Sequence, residues 1–189
     1  LSGTYQAVKL VARDFENIRI NVIDSKTLSM GTGWMVLEAA RSIANGLCFD
    51  RVVDNLQHIQ PKVEVYYIIE TLDYLRRGGR IGRVAGMLGE LLHVKPIISV
   101  DREGKYFTYC KARGRIKSID KLVEIVEKTV KEKQIKLAVM HGGASQEFEK
   151  LVERLRQLPN IKELITSDIS PALGVHTGPG LLGVGFYEV

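Results

Sequence analysis

An α/β fold in two parts is what this chain predicts. Residues 1–92 read as a partial parallel-sheet domain, and residues 93–189 as an α+β domain with a largely antiparallel sheet. Three observations carry that reading. In the first half, β-branched segments alternate with segments of helical spacing, as βα units do. In the second half a direct hairpin centred on Glu103 and Gly104 joins two strands with no crossover helix. Between the halves lies a stretch dense in Gly and Arg, residues 71–89, which puts the boundary near residue 90.

Each element has its own warrant. Ser2, Gly3 and Thr4 supply start signals for a helix to about residue 15, with Tyr5, Val8, Val11 and Ala12 on one face. Residues 18–23 are β-branched and read as a strand ending in the turn pair Asp24 and Ser25. Ser29 can cap a helix over residues 31–45, where Leu37, Ala40, Arg41 and Ala44 recur at helical spacing and Gly46 stops it. A helix over residues 50–60 halts at Pro61, and residues 63–69 form a buried strand. Leu91 and Leu92 suggest a short apolar helix end. Strands follow over residues 96–100 and 106–112, then a helix over 118–133, a strand over 136–140, and a helix over 145–158. A strand over 163–167, a turn over 171–175 and a final strand over 183–189 complete the pattern.

Composition excludes several classes. The 189 residues are 45% hydrophobic and 26% charged, a globular balance. No apolar run nears the roughly 18 residues that span a bilayer, so no stable membrane insertion is expected. Cys48 and Cys110 are the two cysteines, too far apart to describe a disulfide framework or a zinc site, and a cytoplasmic setting follows. The net charge of +5 is spread along the chain, which suits an anionic ligand better than a nucleic acid. The chain opens on Leu1 rather than Met and reads as lacking an earlier part.

Four places could carry chemistry. Ser2-Gly3-Thr4 at a helix start offers hydroxyls and free N–H groups to a carboxylate or phosphate, although an ordinary cap is the commoner reading. Asp24 and Ser25 with Ser29, Met30, Gly31, Thr32 and Gly33 form a strand–turn–helix joint, either lining a ligand or simply turning the chain. Gly78-Gly79-Arg80-Ile81-Gly82-Arg83 is costly in backbone entropy, so something must pack closely there; its guanidinium groups suit an anion, or make a solvated basic face. His176 lies in a Gly/Pro loop, whereas His58, His93 and His141 have no metal-ligand spacing and read as structural. Residues 178–183 match Gly-x-Gly-x-x-Gly but lead into a strand, so the dinucleotide reading fails. No phosphate loop and no nucleophile elbow occurs.

Five segments, taken in order, resemble the DegV family of bacterial fatty acid-binding proteins. They are Leu1-Ser2-Gly3-Thr4-Tyr5-Gln6; Val22-Ile23-Asp24-Ser25 with Ser29-Met30-Gly31; Leu72 and Leu75-Arg76-Arg77-Gly78-Gly79-Arg80-Ile81; Lys95-Pro96-Ile97; and His176-Thr177-Gly178-Pro179-Gly180. The resemblance implies a DegV-like pair of domains with a long-chain fatty acid in a tunnel between them, and no other cofactor, metal or catalytic residue. It implies a protein without turnover of its own, the acyl-carrying partner of a separate fatty acid kinase that phosphorylates the bound carboxylate. By position, Ser2, the Gly3 amide, Arg80 and His176 would hold the carboxylate, and Arg113 would serve the head group or kinase docking. Met30, Trp34, Met87 and Leu88 are candidate tunnel residues. The family chain starts some eighty to ninety residues earlier and there supplies a Thr to the same site.

Two other classes compete. One is a phosphotransfer enzyme whose Gly/Arg segment grips a phosphate. The other is a nucleic-acid binder using Arg76, Arg77, Arg80, Arg83 and the basic residues over 111–117.

Overall fold

The computed structural model describes residues 2–87 and 94–189. The helices are α1 (Thr4–Val11), α2 (Met30–Ala44), α3 (Phe49–Ile59), α4 (Asp73–Arg77), α5 (Arg115–Val130), α6 (Ser145–Arg156) and α7 (Pro171–Thr177). The strands are β1 (Val63–Ile68), β2 (Val94–Val100), β3 (Tyr106–Arg113), β4 (Ile135–Gly142), β5 (Ile161–Asp168) and β6 (Leu181–Glu188). All six strands join one sheet in the order β3-β2-β1-β6-β4-β5. Among the described residues, only β4 and β5 pair in parallel; the other neighbours are antiparallel. No helix among the described residues is long and apolar enough to cross a membrane.

Alternation along the strands divides the core. Tyr66 and Ile68 of β1, Leu137 and Val139 of β4, and Leu182, Val184 and Phe186 of β6 meet Leu122 and Val126 of α5 and Leu151 and Leu155 of α6. On the other face, Ala138 and Tyr187 meet Trp34 of α2, while Tyr67, Ile69, Ile98, Tyr106 and Leu181 meet Leu72 and Leu75 around α4. Helices therefore cover both faces, and β6 in the centre is buried almost along its whole length.

Glycine brings α2 down onto the sheet. A Cβ on Gly31 would lie 2.8 Å from Val65 Cγ1, so no side chain fits there. One turn on, Trp34 Nε1–H donates to the Gly185 carbonyl at 3.0 Å and the indole is fully buried. The same helix is clamped by charge. Glu38 accepts from Arg41 at 2.6 Å and from Lys136 at 2.7 Å, and Arg41 donates to both carboxylate oxygens of Glu163, at 2.6 and 2.9 Å. Burial opposes the charge on Glu38, but its bonds to Lys136, Arg41 and Tyr187 outweigh that and hold the carboxyl below its ordinary value.

The α/β class and the largely antiparallel second part match the sequence reading, and several details differ. Residues 18–23 form no strand, because no partner among the described residues pairs with them. The expected parallel pairing in the first part is absent among those residues: its one strand, β1, is antiparallel to both neighbours. α5 begins at Arg115, ahead of Ser118, whose hydroxyl instead donates to Gly114 O inside the helix. The turn over 171–175 is helix α7, and α4 went unforeseen. Trp34 is core rather than tunnel lining, and Met30 packs beside it. Leu88, His93, the Leu91–Leu92 helix end and the boundary near residue 90 lie outside the described residues, as does the Met87 side chain.

The clamp predicts a pH dependence. Because Glu38 is lowered when folded, its contribution is fully present above the unfolded value of 4.5 and is lost as pH falls through the folded value. Urea unfolding of the wild type and Glu38→Gln at neutral pH and through the acid range should show a shallower acid loss in the variant. Equal slopes would remove Glu38 from the clamp.

Candidate functional site

A cleft of about 630 Å³ opens on the α2/α4 side of the sheet, within the ~300–1,000 Å³ typical of small-molecule sites. Ser2, Arg80 and His176, distant in sequence, all line it. Asp24, Ser25, Thr27 and Thr32 form another wall, and Tyr106 belongs to its lining as well.

Local rules explain how Arg80 arrives there. The Gly79 N–H donates to Arg76 O at 3.0 Å and the Arg80 N–H to Leu75 O at 2.8 Å, the paired bonds of a Schellman stop to α4. Gly79 supplies the left-handed residue such a stop requires, with φ of 67°. Arg80 then follows at the turn, where its guanidinium donates to Gly78 O at 2.7 Å.

Gly78 serves a different purpose. A Cβ there would stand 2.1 Å from His176 Nδ1, so the imidazole lies directly against bare backbone. Gly178 does the same for Tyr74, whose ring would be 2.4 Å from an added Cβ. α4 and the α7 loop thus interlock through glycine on both sides. His176 Nδ1 is buried and makes no hydrogen bond among the described residues.

The rear of this loop is held by charge. Gly180 packs on Glu70 Cβ, and Lys95 Nζ donates to Glu70 O at 2.6 Å and to its carboxylate at 2.8 Å. This gives the Lys95-Pro96-Ile97 segment a structural task. Arg115 reaches the same group from α5, 3.9 Å from Glu70 Oε2, while gripping Glu147 at 2.5 Å.

Ser2 accepts from the Thr4 N–H at 3.2 Å and pairs with the Thr4 hydroxyl at 2.7 Å, so it helps start α1 while lining the cleft. Gly3 is the N-cap of α1 and does not itself line the cleft. Arg113 is exposed at the far end of β3, about 23 Å along the strand from Tyr106. The strand–turn–helix joint divides: residues 24–28 and Thr32 line the cleft, whereas Gly31 packs on the sheet and Ser29 donates to Met140 Sδ at 3.1 Å. His141 Nε2 meets Asp168 Oδ1 at 2.9 Å, tying β4 to β5. Residues 178–183 lead into β6, so they open no dinucleotide helix. Among the described residues, no group of His, Cys, Asp or Glu could hold a metal ion.

Tyr106, Thr27 and Leu173 were missed by sequence reasoning. The signal for Tyr106 was its place at the start of a strand, facing the same side as Tyr67, but no local motif marks that pairing.

Helices on both faces of a mixed sheet, with a ligand-sized cleft beside the α4 and α7 loops, define an α/β protein of recognisable kind. A DegV family protein from Thermus thermophilus, described as fatty acid binding, matches with a TM-score of 0.92 and 28% identity, covering 100% of this chain and 67% of that one. DegV from Bacillus subtilis, described as a fatty acid binding protein, matches with a TM-score of 0.87 and 28% identity over 100% of this chain and 67% of that one. A DegV domain-containing protein from Clostridium acetobutylicum is 46% identical over 188 residues, 100% of this chain and 67% of the relative. This chain therefore spans about two thirds of the relatives' length. The family model described as "Uncharacterised protein, DegV family" matches residues 1–189. The chain belongs to the DegV family.

The glycine contacts predict a steric contrast. Gly78→Ala should lower stability by about 1–3 kcal/mol, because the methyl and the imidazole cannot share one position. Gly174→Ala, within α7 and with nothing near its added Cβ, should be neutral or gain about 0.5–1 kcal/mol. Denaturant unfolding of both variants checks this, and equal effects would refute the close approach.

Proposed function

We propose that this chain binds a long-chain fatty acid, holds its carboxylate in the cleft, and presents it to a separate fatty acid kinase. The observation that carries the reading is the convergence of Ser2, Arg80 and His176 on one cleft. A hydroxyl, a guanidinium and an imidazole are what a carboxylate needs when it leaves water. The fatty acid binding of the Thermus and Bacillus relatives supports extending the same ligand class to this chain.

The energetics suit a carrier. Burying some fourteen methylenes at about 0.8 kcal/mol each offers on the order of 11 kcal/mol before association costs. Ser2 would meet the carboxylate at the start of α1, and Arg80 and His176 would meet it from the interlocked ends of α4 and α7. Arg113, exposed and remote from the cleft lining, suits contact with the kinase better than contact with the ligand. The carrier performs no bond chemistry. The kinase brings ATP and transfers its terminal phosphoryl group to a carboxylate oxygen, giving an acyl phosphate and ADP. The cytoplasm, where ATP is available, is the setting this scheme requires.

Mass spectrometry of small molecules extracted from the purified protein tests the ligand. A long-chain fatty acid near one equivalent is expected, and Ser2→Ala and His176→Ala should each retain less. Protein that neither carries fatty acid nor takes it up when supplied would end the carrier reading. Arg113→Ala should keep its ligand yet be phosphorylated more slowly by the kinase.

A further inference from the structure

Tyr106 lies at the start of β3, only 4% exposed, and lines the cleft together with Arg80. Its ring meets that of Tyr67 edge to face, with centroids 5.9 Å apart. Tyr67 is deeper, 3% exposed, and its hydroxyl is buried with no hydrogen bond among the described residues. The pair belongs to the apolar cluster of Ile69, Leu72, Leu75, Ile98 and Leu181, where phenylalanine would pack equally well. Two phenol oxygens in such surroundings are a cost unless something bonds to them.

Both phenols stay neutral at physiological pH. Burial raises the Tyr67 phenol well above its ordinary value, and Tyr106 adds to the shift. Burial likewise raises Tyr106, against the opposing pull of Tyr67 and of the positive Arg80. Each phenol therefore keeps its proton and can donate it in a hydrogen bond.

We propose that Tyr106 is a further ligand-binding residue of the cleft, its O–H donating to the carboxylate of the bound acid beside Arg80. The Tyr106 oxygen, polarised by that donation, becomes a stronger acceptor for the Tyr67 hydroxyl already directed toward it. Ligand binding extends the contact between the Tyr67 and Tyr106 hydroxyls into a chain that ends on the carboxylate. The pair thereby favours a carboxylate over a neutral head group, since a charged acceptor strengthens the whole chain. This inference rests on the carboxylate reading of the cleft.

The test compares oleic acid with oleyl alcohol as probes, by displacement of a fluorescent fatty acid from the full chain. Tyr106→Phe should weaken oleic acid binding by about tenfold and leave oleyl alcohol within about twofold. Tyr67→Phe should weaken the acid in the same direction by less. Thermal melting of each variant guards against misfolding, because Phe keeps the ring packing. Equal losses for acid and alcohol would reduce Tyr106 to a packing role and overturn the inference. Unchanged acid binding in Tyr106→Phe, with the wild type binding well, would overturn it while leaving the carrier reading intact. A wild type that does not bind oleic acid would bring down both.

Discussion

The contact between the His176 ring and the bare backbone of Gly78 is the constraint on which the cleft depends. It joins the end of α4 to α7, distant in sequence, at a separation only glycine tolerates. Arg80 is delivered by the Schellman stop two residues beyond Gly78, so the seating of His176 also sets where the guanidinium can stand. The Tyr74–Gly178 contact is the reciprocal half of the joint, and Lys95 with Glu70 supports it from behind. The segments that carry Arg80 and His176 are thus fixed against each other by packed backbone.

Much of this was legible in order and type but not in geometry. The dense glycines of residues 78–82 announced a close approach, though not what approaches. The strands with continuous apolar runs and the amphipathic helices α3, α5 and α6 followed from periodicity, because burial on one face leaves its mark on every turn. Residues 18–23 have strand composition without a ladder: composition describes the residue, whereas a strand needs a partner. α4 is a five-residue helix, too short for a period to emerge, and its evidence lay instead in the stop that Gly79 makes.

The candidate site divides along the same line. Ser2, Arg80 and His176 were found through motif positions, and the fold brings them to one cleft. Tyr106 was invisible because what matters is its register across the sheet. The bulge between Ile97 and Ile98 resets which face of β3 looks into the cleft. Gly3, by contrast, stood out in sequence beside Ser2, yet it caps the helix and stays out of the lining.

The central position of β6 has a consequence for how the molecule is made. Among the described residues it follows the other strands in chain order, yet it is what links β1 to β4 in the sheet. Without β6, β1–β3 and β4–β5 would be two separate sheets, each with an open edge. Its pairing with β1 spans most of the chain, a long-range contact that slows folding. His176 and the loop that seats it lie just ahead of β6, so the binding cleft and the sheet are completed in the same late step. The cleft therefore has no complete lining until the sheet has closed.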